Sequence, residues 1–270
     1  MTETGKFGVI RKLYLFVVVF DMVNCWASKL NNCCDNFSRE HTISASLFPK
    51  SKTIFVQGFH WCKNEQKEVS IAKLTSKILC KHHNNSLSQL DTAAGHAFNN
   101  FEYVSKLIEE ANQNNGRFKV KNSHVNALLL ERWLLKTLIN VCYEQEFLIG
   151  NNNEIGMPDE NLIKICFGKS TFSNGAGMYI AANMGDQMGF GRHINIIPIV
   201  EESENRVVGC MFSFAGLLIY LQLMPEKLLD NFDWIKQRKP EWLNVQPSRP
   251  FKKIKFNIPS GHSHTVHFHW

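Results

Sequence analysis

ILCKHHNN, residues 78–85, places a thiol, two imidazoles and two amides directly after a short apolar run. SKILC (76–80) reads as a buried strand and Asn84 as the start of a helix. Cys80 and His83 stand at ligand spacing, because a tight turn aims both side chains at one Zn²⁺. A closed zinc site takes four ligands, so two more must come from elsewhere. Upstream the chain offers Cys25 in CWAS and the pair Cys33–Cys34, just before a Glu-His dyad, Glu40–His41, in SREHTISASLFP (38–49).

The totals suit such a site without demanding it. Eight cysteines in 270 residues, at 25, 33, 34, 62, 80, 142, 166 and 210, form no dense framework, which favours reduced thiols or metal ligands over disulfides. Hydrophobic residues make up 44% of the chain, enough for a core that needs no staples. Lys and Arg exceed Asp and Glu by 30 to 24, a mild excess that permits a polyanionic partner. Near the N-terminus, Lys6, Arg11 and Lys12 precede LYLFVVVF, and Ala27 sits where a signal-peptide cleavage residue could. The run is too short to span a membrane and its β-branched residues suit a buried strand, so the expected location is cytoplasmic, with no membrane partner.

Organisation changes along the chain. Up to about residue 95 it is loop-rich, with strand-like pieces TIFVQGF (53–59) and SKILC (76–80). From Ala93 the period becomes helical, with Phe98, Phe101, Val104 and Leu107 or Ile108 on one face, until NNG at 114–116. A second helix, VNALLLERWLLKTLINVCYEQEF (125–147), is apolar enough to be central to the second half, its few charges including Glu131, Arg132, Lys136 and Glu144. Beyond it, INIIPIV, RVVGCMFSFAGLLIYLQLM and KIKFNIPSGHSHTVHFHW read as strands, a sheet from roughly residue 165 onward.

In order and pairing, the residues around 25–34, 40–41 and 80–84 resemble the HNH endonucleases, a family with a ββα-metal fold, in the branch reading C-x2-C, then EH, then LC-x2-(C/H)-N. The resemblance covers residues 22 to about 95. It implies an α+β chain in which a small N-terminal ββα-metal domain (22–95), preceded by an extension (1–21), is followed by a helical segment and a β-rich α+β domain (96–270) for target recognition or assembly. It implies that His41 is the general base that deprotonates a water attacking phosphorus, and that Glu40 and Asn84 hold a catalytic Mg²⁺ or Mn²⁺. Cys80 and His83 then form the second half of a structural Zn²⁺ knuckle. The family's first C-x2-C falls on Cys25 and Ser28, so Cys33 or Cys34 must stand in for the missing thiol. For the middle Asn of the motif the candidate is Asn64. DNA is the expected substrate, with RNA, a protein partner or a second copy as further partners, and a role in phage defence or mobile-element biology follows by analogy. The rival expectation is a zinc-stabilised binding module without catalysis.

Other motifs carry less. His82 reads as a solvent-facing neighbour, and His60 and Cys62 as parts of an aromatic packing run. In the tail, His262 and His264 point one way along a strand and His267 and His269 the other, so the four do not converge. Arg249, Lys252, Lys253 and Lys255 offer phosphate contacts just upstream. The glycines of 174–191 fit no phosphate-binding loop, and no G-x-S-x-G is present.

Overall fold

Cys80 is the hinge of the first unit. Strand β1 (Phe37–His41) lies antiparallel to β4 (Thr75–Cys80), with Phe37 opposite Cys80 and His41 opposite Thr75. The register shifts between Ser38 and Glu40, a bulge that re-aims the residues around Arg39. Strand β4 then passes straight into helix α1 (Lys81–Gln113). The computed structural model describes residues 25–48, 51–113, 119–181, 194–214, 217–224, 252–258 and 261–270; LYLFVVVF and Arg249 lie outside them.

Helix α1 opens with Asn, Ser and His, residues of modest helix propensity, so packing must hold it. The buried residues Leu87, Leu90, Ala94, Ala97, Phe101, Val104, Leu107 and Ala111 recur at intervals of three and four. The helix thus begins twelve residues before Ala93, where the periodic signal was read, and runs unbroken through residue 95. Gly95 permits a close approach at its middle: a Cβ there would lie 3.3 Å from both Cβ and O of Ser46.

Strand β2 (Thr53–Val56) pairs with β3 (Lys67–Ser70) as a hairpin over a small cluster of Val56, Cys62 and Leu74. Strand β5 (Val120–Asn126) leads into helix α2 (Ala127–Gln145), whose first turn is capped by Asn126 Oδ1 accepting from Leu129 N at 3.0 Å. Residues 133–142 of α2 are all buried, so this helix is central, as its sequence predicts. No helix among the described residues is long and apolar enough to cross a membrane.

A short strand β6 (Leu148–Ile149) opens the main sheet, followed by helix α3 (Glu160–Cys166), capped by Asp159. That sheet comprises β6, β7 (Gly177–Ala181), β8 (Ile194–Glu201), β9 (Arg206–Phe214) and β10 (Leu217–Gln222), with β9 between β8 and β10. Strands β11 (Lys253–Asn257) and β12 (Ser263–His269) form a three-stranded sheet with β5, antiparallel for β11–β12 and parallel for β12–β5. The architecture is mixed α+β, as expected of the chain as a whole.

One continuous core runs from Cys25 to Phe268. Phe98 of α1 meets Trp133 of α2 and Phe214 of β9 edge-on, so aromatic contacts join both helices to the main sheet.

Candidate metal centre

The segment before β1 is pinned to β4 by Trp26 N donating to Ile78 O at 3.1 Å. This sets Cys25 beside the start of α1. A single turn at Ser28–Leu30 then leaves Ser28 exposed, while Asn31, in the left-handed region, sends the chain back toward α1. Cys33 arrives on that return. The Sγ atoms of Cys25 and Cys80 each lie 3.3 Å from His83 Nδ1, and Cys33 Sγ lies 3.7 Å from it.

The four ligand atoms all fall within 4.8 Å of one another, the one such grouping of His, Cys, Asp or Glu among the described residues. Tetrahedral Zn²⁺ with its usual bond lengths needs S···N separations of roughly 3.5 Å and S···S of roughly 3.8 Å. The cluster therefore fits a Cys₃His metal site such as zinc. Of the two thiols left open by the sequence, Cys33 joins the cluster, while Cys34 instead takes the His82 backbone N–H at 3.3 Å.

The surroundings complete the fit. His83 Nε2 lies 2.7 Å from Asn32 Oδ1, which places the proton on that nitrogen and leaves Nδ1 as the donor to a metal. Burial, with His82 and Lys169 nearby, holds His83 below its ordinary pKa and so neutral. Burial pushes the Cys25 thiol up to about 12 and raises Cys33 as well. Burial also works against Cys80, but backbone hydrogen bonds at His83 and Cys34 and the neighbouring thiols bring it below its usual value. His82 is exposed, as read from the sequence.

The other sequence candidates lie on β1 and on the first turn of α1. Asn84 Nδ2 donates to Ser38 Oγ at 2.7 Å and to Arg39 O at 3.3 Å, fastening the first turn of α1 across the bulge. His41, half-buried, is held below its ordinary pKa by burial despite the opposing field of Asp91, so its imidazole is neutral near pH 7. Glu40 is buried, and its carboxylate lies 2.6 Å from Lys136 Nζ. Lys136 in turn contacts both oxygens of Asp91, at 2.8 and 2.9 Å. Burial pulls Lys136 down, yet the two carboxylates outweigh it and keep the ammonium charged. Glu40 and Asn84 are thus engaged with different partners, and no grouping of metal ligands among the described residues includes Glu40. Asn64 is exposed in the loop between β2 and β3.

The sequence reading missed the groups that hold this unit from behind. Trp133, Lys136 and Asn140 of α2 reach Ser44, Glu40 and the His41 carbonyl, respectively, and Glu144 accepts from Ser76 Oγ. Residues 133, 136, 140 and 144 share one helix face. A lysine inside so apolar a helix was the available signal, since a buried ammonium requires a carboxylate partner.

Comparisons with protein-family models, with curated proteins and with solved structures find no match for the chain.

Proposed function

We propose that the chain is an endonuclease of the HNH type, a metal-dependent phosphodiester hydrolase whose β1–β4–α1 unit is tied by zinc. The observation that carries this reading is the junction at Cys80. There an antiparallel strand pair runs without a loop into a helix, a four-ligand cluster sits at the joint, and Asn84 on the first helical turn is bonded to the strand that carries His41.

In this reading Cys25, Cys33, Cys80 and His83 would hold a zinc ion that contributes to the fold rather than to the chemistry. The neutral imidazole of His41 removes a proton from water. The water oxygen forms a bond to phosphorus as the P–O3′ bond breaks in line, and the departing 3′-oxygen takes its proton from solvent. A divalent ion, Mg²⁺ or Mn²⁺, supplies charge neutralisation at the phosphate when bound. Asn84 spends its amide nitrogen on β1, so its carbonyl oxygen is the atom that would take such an ion. Glu40, sealed on Lys136, orders the strand that carries His41.

The buried, paired state of Glu40 also favours a second reading: a zinc-stabilised module that binds DNA, RNA or protein without cleaving. Plasmid and single-stranded DNA and RNA, incubated with purified protein and Mg²⁺ or Mn²⁺ beside His41→Ala, separate the two. Ion-dependent cleavage that His41→Ala abolishes supports the nuclease. Retarded nucleic acid that stays intact with both proteins supports the module.

A further inference from the structure

We propose that His124, His267 and His269 form a second metal site, built of nitrogen ligands alone, for a divalent transition ion of the nickel, copper or zinc class. The site is independent of the cysteine cluster and of the nuclease reading.

The tail histidines read as two pairs on opposite faces of one strand, and burial agrees with that alternation: His262 and His264 are buried, whereas His269 is exposed and His267 partly so. What the sequence does not reveal is a third imidazole on the outer face. The parallel pairing of β12 with β5 sets His267 opposite His124, across 143 residues of chain, and His269 follows two residues further on the same side.

His124 stands in contact with both tail rings. His124 Nδ1 lies 2.8 Å from His269 Nε2, with ring centroids 5.0 Å apart and planes at 23°. His124 and His267 have centroids 5.2 Å apart and planes at 20°. A 2.8 Å contact between two imidazole nitrogens needs at least one of them unprotonated, because two imidazolium N–H groups would face each other. One proton between two ring nitrogens marks the place an ion can take. Two imidazoles bound side by side to one ion at their usual bond lengths have nitrogens roughly 2.9–3.4 Å apart, so the observed pair needs to open only slightly.

His267, stacked on His124, would supply the third ligand through Nδ1, the nitrogen left over when Nε2 faces Asn122. Its Nε2 is 3.3 Å from Asn122 Oδ1, the arrangement by which an outer partner fixes the tautomer of a ligating histidine. All three donors are imidazole nitrogens, which select the later first-row ions over Mg²⁺ or Ca²⁺. Lys253, in register with His267 on β11, is exposed, so water screens its repulsion of a bound cation.

The test is a Ni²⁺ titration of the full chain, with its cysteine cluster loaded with zinc and zinc release followed by a chromogenic chelator. The expected result is one Ni²⁺ per chain with no zinc released, and an affinity at least tenfold weaker in both His124→Ala and His269→Ala. On the unsubstituted chain, substoichiometric Cu²⁺ should broaden the imidazole proton resonances of these three histidines before those of His60 or His96. Absence of Ni²⁺ binding, nickel uptake matched by zinc release, affinity unchanged in both variants, or Cu²⁺ broadening that spares the three would each overturn the proposal.

Discussion

Lys136 of α2 and Glu40 of β1 meet at 2.6 Å with both side chains shut off from solvent, and Asp91 of α1 closes the group from the other side. One ammonium thus joins the first strand to both long helices. Such a group adds little net stability over a well-packed apolar substitute, but removing one member leaves the others buried without compensation. Lys136→Met should therefore destabilise the chain by about 3–5 kcal/mol in urea unfolding. Adding Glu40→Gln to Lys136→Met should recover part of that loss, because the more deeply buried of the two carboxylates left behind is then neutral. Unfolding of Lys136→Met at the wild-type midpoint would refute this account.

The cysteine cluster separates two adjacent thiols. Cys33→Ser should lose the metal, because its sulfur is one of the three that converge with the His83 nitrogen, while Cys34→Ser should keep it. Elemental analysis of the two purified variants checks this, with about one zinc per chain expected for wild type and Cys34→Ser. Equal zinc in both variants would mean that the two thiols exchange. Chelation of the wild type should lower its melting temperature, since metal affinity enters directly into folding free energy.

The parts of this site that the sequence revealed were those set by local spacing. Cys80 and His83 are three residues apart, and no distant contact is needed to bring them together. Cys25 and Cys33 were readable as thiols near the dyad, but the choice of Cys33 over Cys34 depends on how the chain returns after Asn31. The central helix was evident because it is apolar on nearly all sides. The start of α1 was not, because its apolar stripe over Leu87 and Leu90 is diluted by Asn and Ser. Nor was β5, which alternates polar and buried residues but finds its partner only in the parallel strand near the C-terminus. Contacts from α2 to Glu40 and His41 span about a hundred residues, and no local pattern encodes them.

His264 gives the fold a pH dependence. It is buried, with Nε2 2.9 Å from Ser123 Oγ and no hydrogen-bond partner on Nδ1, and burial, aided by Lys121, pushes its pKa down to about 4. An unfolded histidine titrates near 6.5, so between that value and about 4 the unfolded chain binds a proton that the folded chain does not. Stability should be complete above pH 6.5 and fall as pH drops through this window. In melting curves from pH 7 to pH 4.5, His264→Gln should lose less than the wild type over the same interval. Parallel pH profiles for the two proteins would show that His264 is not the group responsible.

Asn140 tests whether α2 acts on the strand beneath it rather than merely covering it. Its Nδ2 donates to the His41 carbonyl oxygen at 3.1 Å, at the point where β1 ends, the opposite end of the strand from Phe37, which pairs with Cys80. Replacing it with Ala removes one partly buried hydrogen bond, a loss of about 1–3 kcal/mol including the carbonyl left unpaired. The cysteine cluster is built from other segments, so zinc content should not change. On the proposed nuclease reading, Asn140→Ala should lower kcat more than it raises KM, because the carbonyl it holds belongs to His41, the proposed base. A variant that sheds zinc along with stability would show instead that α2 and the metal cluster fold as one unit.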